Sequence, residues 1–258
     1  MKWILYATDG SRDATDAGRF LAAQSRSSEI HVHVLTVQDP SAAGTDTDRI
    51  LASAVNALGR FPLSVTTATA RAETPTGVIA AIDSIAANIG ADLIAVGSRG
   101  LSTTPSLLLG SVSHGIARTA TCPVLVAKAP VVPLRAIVIG IDASAESLRA
   151  LHWVQEEMPR PQACEMLLVH AATQPETGVR ESREALSEQL RMRYGVAAEF
   201  IVPEGEASGA LIAIAKSRAA GLIVTGVREI SGIDRLAFGS VTESLLRHSP
   251  CSLLIVKR

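Results

Sequence analysis

The chain reads Gly97-Ser-Arg-Gly100, nine further residues, then Gly110-Ser111-Val112-Ser113. Glycines at this spacing let backbone come close to something bulky or take up positive φ. The hydroxyls of Ser111 and Ser113 stand where a helix N-cap belongs. A glycine-spaced loop running into a helix start offers free N–H groups and the positive end of the helix dipole, which is chemistry suited to phosphate. Triphosphate is the natural guest, with Arg99 as a mobile cation and the Ser113 hydroxyl at the rim. The competing reading, glycines that merely join a strand to a helix, is weakened because the pattern recurs later in the chain.

A second polar cluster, Asp9-Gly10-Ser11, closes the first apolar run and returns as Asp142-Ala143-Ser144. Asp-Gly-Ser is ordinary turn chemistry, but recurrence at the matching place favours a binding carboxylate. The other candidates carry less. His31 and His33 share one face of a strand, and no carboxylate or cysteine partner is evident to complete a metal site. The expectation is packing or solvent contact, with no metal. Ser111, Ser113 and His114 resemble pieces of a nucleophilic site, yet there is no Gly-x-Ser-x-Gly elbow, and neighbours at a helix start form no relay by closeness alone. No Gly-Lys-Ser/Thr supplies a Walker lysine and no general base stands beside the loop. No catalytic residue is therefore assigned, and any turnover is expected to be slow. Cys122, Cys164 and Cys251 form no Cys-x-x-Cys pair and are odd in number, which predicts buried free thiols rather than disulfides or zinc.

Such a loop needs a strand end beside a helix start. Asp92-Leu-Ile-Ala-Val-Gly97 is a continuous apolar run bounded by turn formers, the signature of a strand buried on both faces of a parallel sheet. After Gly110, Val112, Ile116 and Thr119/Ala120 recur at helical spacing. Earlier, residues 3–8 predict a strand, followed by a helix that Ser11 caps and whose Ala14, Ala17, Phe20 and Leu21 face inward. Strands follow over 30–37 and 63–70, with helices over 45–59 and 74–89, the latter with proline in its first turn. Val124–Ala127 closes the series, and residues 128–133 form a stiff, proline-marked linker.

At 258 residues the chain is comfortable for two domains. Hydrophobic residues make up 47% and aromatics only 3%, so the cores must be aliphatic, as in helices packed on parallel strands. Twenty-four basic against 25 acidic residues, net −1 and without long runs, leave no electrostatic footprint for nucleic acid. The amino-terminal apolar run is too short for a signal peptide and no stretch of 18 apolar residues spans a membrane, so a cytoplasmic protein is expected.

From Ala136 the order restarts. Gly97 to Gly110 and Gly226 to Gly239 are both thirteen residues, and Gly110 to Cys122 and Gly239 to Cys251 are both twelve. This is a duplicated α/β domain, 1–130 and 134–258, since the period far exceeds that of solenoid repeats. Polar residues gather after the first and fourth strands of each half, so the ligand crevice is expected outside their carboxyl ends.

On these residues both halves resemble the universal stress protein family, and the Gly-x2-Gly-x9-Gly-Ser pattern of its ATP-binding branch is intact in the first. The resemblance implies two similar domains, each a five-stranded parallel sheet ordered 3-2-1-4-5 with helices on both faces, paired through their last strands. A tandem chain can make that pair internally, and a homodimer is the other arrangement open to it. It also implies that Asp9 contacts adenosine, the backbone of Val37 adenine, and Gly97, Gly100, Gly110, Ser111 and Val112 the ribose and phosphates of ATP, free or with Mg. Arg99 and Ser113 are additions from this sequence. The implied function is an ATP-binding stress-response regulator. A slow ATPase or self-phosphorylating enzyme and a nucleotide-free pairing scaffold are the alternatives. In the second half Glu229 takes the position of Gly100 and Ala143 that of Gly10, so weak nucleotide binding or none is expected there unless Arg228 or Arg235 offsets the carboxylate.

Overall fold

The computed structural model of the chain describes residues 1–23, 29–38, 46–59, 64–101, 109–128, 130, 134–142, 144–159, 161–171, 188, 192, 198–227 and 238–257. The first half alternates β1 (Trp3–Ala7), α1 (Arg12–Ala22), β2 (His31–Gln38), α2 (Thr47–Leu58), β3 (Ser64–Arg71), α3 (Pro75–Ile89), β4 (Leu93–Gly97), α4 (Ser111–Thr119) and β5 (Val124–Ala127). The second contains β6 (Ala136–Gly140), α5 (Ala145–Glu156), β7 (Glu165–Val169), β8 (Glu199–Ile201), α6 (Ala207–Ser217), β9 (Leu222–Gly226), α7 (Ser240–His248) and β10 (Ser252–Val256). The expected elements are present with ends displaced by a residue or two. Most of the expected linker, residues 129 and 131–133, lies outside the described residues, as do Ala143, Arg228, Glu229 and Arg235.

All ten strands form one sheet, ordered β3-β2-β1-β4-β5-β10-β9-β6-β7-β8. Each half therefore has the order 3-2-1-4-5. Alternation along the strands sends Ile4, Tyr6, Val32 and Val34 to one face with Phe20 and Leu21 of α1 and Leu58 of α2, and Leu151 of α5 lies on that face of the second half. Leu5, Leu35, Ile94 and Val96 go to the other face, under Ile82 of α3 and Ile116 of α4, with Leu211 of α6 and Leu245 of α7 beyond them. Burial on both faces is why β1, β4 and β9 are short and largely apolar, whereas β3, at the sheet edge, is nowhere fully buried. Helix α1 is fixed at its start by Ser11, whose hydroxyl accepts from the Ala14 N–H at 3.3 Å, and by the Tyr6 hydroxyl, which donates to the Ala14 carbonyl at 2.6 Å. Burial pushes that phenol up to about 12.

The halves join through β5 and β10, which run antiparallel with Leu125 opposite Leu254. Around this seam the contacts come in related pairs. Lys128 Nζ donates to the Ser249 carbonyl at 3.0 Å at the end of α7, and Lys257 Nζ to the Ala120 carbonyl at 2.6 Å at the end of α4. His114 Nε2 lies 3.0 Å from Glu243 Oε2. Final strands whose backbone groups would be left unpaired at an edge thus satisfy one another.

Burial pushes the Lys128 ammonium down to about 8. Unfolded, the group titrates near ~10.4, so between these values the unfolded chain holds a proton that the folded chain has released, and stability from this group rises with pH. Cys122 and Cys251, their thiols pushed up to about 11 by burial, pull the opposite way above their ordinary range. Comparison isolates the lysine: urea midpoints of the wild type are expected to gain on those of Lys128→Met from pH about 8 to about 10. A constant difference would contradict the buried charge.

One sequence expectation, that of buried thiols, needs correction here. Of the three cysteines only Cys251 is fully buried; Cys122 and Cys164 are half-buried. His31 and His33 are placed by hydrogen bonds to the neighbouring strand, Nδ1 lying 2.7 Å from Ser64 Oγ and 2.7 Å from Thr66 Oγ1 respectively.

Candidate functional site

At the carboxyl ends of β1, β2 and β4, where α1 and α4 leave on opposite faces, lies a cavity of about 480 Å³. Asp9, Val37, Gly97, Arg99, Gly100, Gly110, Ser111, Val112 and Ser113 all line it. Thr8 and a wall from the start of α3, comprising Glu73, Thr74, Pro75 and Val78, complete it. That wall carries a helix-start signal, Thr74 capping the Gly77 N–H with Pro75 in the first turn, but nothing local in sequence places it beside β4.

Asp9 ties the two loops together. Its Oδ1 accepts the Ser11 N–H at 3.0 Å and its Oδ2 the Leu101 N–H at 2.8 Å. The Ser11 hydroxyl donates to the Arg99 carbonyl at 3.0 Å, and the Gly110 N–H to the Ser98 carbonyl at 2.8 Å. Asp9 is at once turn residue and cavity wall. The glycine roles differ from expectation. Of those in the two site loops only Gly10 has positive φ, +80°. Gly110 is extended at φ −78°, ψ 150°, and Gly97 and Gly100 are needed for space. A Cβ at Gly97 would fall 2.6 Å from the Asp13 carbonyl carbon and nearer still to the Ala14 nitrogen, and one at Gly100 would fall 2.6 Å from Asp9 Oδ2. Gly97 serves the packing of β4 against α1.

The hydroxyls also differ. Neither Ser111 nor Ser113 caps α4: its N-cap is Gly110, with no side-chain hydrogen bond to the first turn. Ser113 is buried and donates to the Gly97 carbonyl at 2.5 Å, so it braces the loop from beneath instead of standing at the rim. Arg99 does reach the rim, but not as a free cation. Its Nε lies 3.0 Å from Oδ2 of the buried Asp13, which also accepts the Ser98 hydroxyl at 2.6 Å, and this pairing raises the guanidinium pKa further.

Helix capping sets the site apart. Among the seven described helices, α1, α2, α3, α5 and α6 are capped by Ser11, Asp46, Thr74, Ser144 and Glu206. Only α4 and α7 begin on glycine, Gly110 and Gly239, with no side-chain cap. Their first N–H groups and positive dipole ends face cavities, α7 that of the second half, of about 370 Å³. Among the described residues no group of three His, Cys, Asp or Glu side chains converges as for a metal ion, and no helix is long and apolar enough to cross a membrane.

Comparison with known proteins gives the same fold twice over. The model of the universal stress protein family matches residues 1–128 and again 133–257. A universal stress protein of Bacillus subtilis is 28% identical over 145 residues, covering 47% of this chain and 97% of its own length. One of Methanocaldococcus jannaschii is 31% identical over 80 residues, 30% of this chain and 47% of the relative, so the chain spans about half of that relative. The crystal structure of a universal stress protein from Archaeoglobus fulgidus superposes over 100% of this chain and 98% of its own, with a TM-score of 0.72 and 21% identity.

Proposed function

Because this chain belongs to the universal stress protein family, we propose that its first half holds an adenine nucleotide, ATP free or with Mg, and that the chain acts in the cytoplasm as a nucleotide-dependent stress-response regulator. The carrying observation is the start of α4, uncapped by any side chain and opening on a cavity of about 480 Å³. An anion there meets free N–H groups and the helix dipole without displacing a protein carboxylate or hydroxyl. In this reading Gly110, Ser111 and Val112 present backbone to the phosphates, Gly100 and Arg99 close the loop over them, and Asp9 meets the ribose. Val37, with Leu35 and Val78 beside it, forms the apolar side suited to a base. Ser113 and Gly97 hold the loop in shape.

Mass spectrometry of small molecules released from freshly purified protein tests the reading directly, with ATP or ADP expected. A chain that releases neither and takes up no ATP in calorimetric titration overturns it. The halves are expected to be unequal, with about one equivalent of ATP per chain. Val227 replaces Ser98 in the second half, and Glu146, in the place of Asp13, lines the second cavity, whereas Asp13 is turned away from the first. A carboxylate near a triphosphate opposes binding by Coulomb repulsion. Two sites of similar affinity, one of them lost in Gly239→Val, would refute the inequality.

A further inference from the structure

The cavity of the first half carries one side chain that has no counterpart in the second. Helices α3 and α6 stand at matching places and are capped by Thr74 and Glu206. The residue before the cap is Glu73 in the first half and Gly205, at φ +107°, in the second. Glu73 lines the first cavity, whereas the described lining of the second includes neither Gly205 nor Glu206. This carboxylate belongs to the first site alone.

Its position is set by the sheet. The turn that carries it leaves the end of β3, where the Ala72 N–H donates to the Gln38 carbonyl of β2 at 3.0 Å. The Thr74 hydroxyl then accepts the Gly77 N–H at 3.1 Å and starts α3. In the order β3-β2-β1-β4 the loop after β4 lies three strand spacings away, about 14 Å at ~4.8 Å each. A nucleotide with its phosphates at α4, its ribose at Asp9 and its base at Val37 therefore turns the outer edge of the base toward Glu73. At that separation repulsion between the carboxylate and the phosphates is weak.

The chemistry at this end of the cavity is sparse. Leu35, Val37, Ala72, Pro75 and Val78 are apolar, and the Thr74 hydroxyl is engaged as a helix cap. Asp9, the other carboxylate in the described lining, is held by the N–H groups of Ser11 and Leu101. Glu73 has no hydrogen-bond or ion-pair partner among the described residues. A carboxylate only accepts, so what it takes from a base is an N–H.

Building on the adenine-nucleotide reading of the first half, on which this role rests, we propose that Glu73 accepts an N–H donor from the outer edge of the bound base. The first cavity thereby selects bases that carry such a donor over bases that do not. The 6-amino group of adenine supplies it. Purine riboside triphosphate, which is ATP without that amino group, offers only ring nitrogens that accept.

Calorimetric titration of the full chain with ATP and with purine riboside triphosphate tests this in the wild type, Glu73→Gln and Glu73→Ala. The wild type is expected to bind ATP about tenfold or more tightly than the analogue, because a site built to pair an N–H rejects a ligand lacking it. In Glu73→Ala the preference is expected to fall to about twofold or less, through loss of ATP affinity alone, while Glu73→Gln, which keeps a carbonyl acceptor, retains part of it. Glu73 is exposed and precedes the helix, so both variants are expected to melt with the wild type, which thermal scans establish. A wild type that binds both triphosphates without preferring ATP, or a preference that survives in folded Glu73→Ala, overturns this role and leaves the nucleotide reading standing. A wild type that binds neither triphosphate overturns both.

Discussion

Gly110→Val is expected to leave the chain folded and to abolish ATP binding by the first half. Valine is at ease in the extended conformation that Gly110 already has, φ −78° and ψ 150°, and replacing an N-cap glycine costs the helix at most about 1 kcal/mol. Its branched side chain, however, would stand at the mouth of α4 where N–H groups must approach the phosphates. Losing one or two charge-assisted hydrogen bonds at about 1.5–3 kcal/mol each lowers affinity by about one to four powers of ten. Calorimetry on a variant with an unchanged circular dichroism spectrum measures this, and wild-type affinity in that protein would remove the phosphate reading of the loop.

Gly97→Ala is expected to act in the opposite manner, damaging the fold first. Its methyl group would press on the backbone of Asp13 and Ala14, which has no side-chain freedom with which to yield. Overpacking costs about 1–3 kcal/mol where side chains give way and more where they cannot. A loss near 3 kcal/mol lowers the melting temperature of a chain this size by roughly 6–12 °C. Gly226→Ala is expected to match it, since a Cβ there would lie 3.0 Å from the Ser147 nitrogen and nearer yet to the Glu146 carbonyl. Gly239→Ala, with nothing within 4 Å, provides the unaffected control. An unchanged melting temperature in Gly97→Ala would show that β4 and α1 are not in the close approach described.

These two glycines show how far the sequence could be read. The spacing of Gly97, Gly100 and Gly110 located the cavity, because a strand end, a loop and a helix start follow one another in the chain and leave a local pattern. It did not separate their duties. Gly97 is small on account of α1, which lies more than eighty residues earlier in the chain, and that contact leaves no mark near Gly97 itself. Arg99 read as a free cation for the same reason, its partner Asp13 being 86 residues away. Ser111 and Ser113 read as caps because hydroxyls at a helix start usually are, yet Ser113, the third residue of the helix, points under the loop to the Gly97 carbonyl. The long-range pairing of β5 with β10 was legible all the same, because duplication put two identical problems, each an apolar final strand, into one chain.

Duplication has one more outcome, seen in His114 and Glu243. Each lies four residues beyond its half's helix-capping glycine, Gly110 and Gly239, so the two occupy equivalent places on opposite sides of the seam. If two copies of a single-domain subunit met through the same seam, the twofold axis would set histidine against histidine or glutamate against glutamate, and the hydrogen bond between the two unlike side chains could not form. Encoding the copies separately lifts that restriction. A substitution at the seam then appears once rather than twice, and an attraction between unlike residues can replace a self-contact. The tandem arrangement thereby gives one polypeptide the freedom of a heterodimer, allowing each half to specialise while remaining bound to the other.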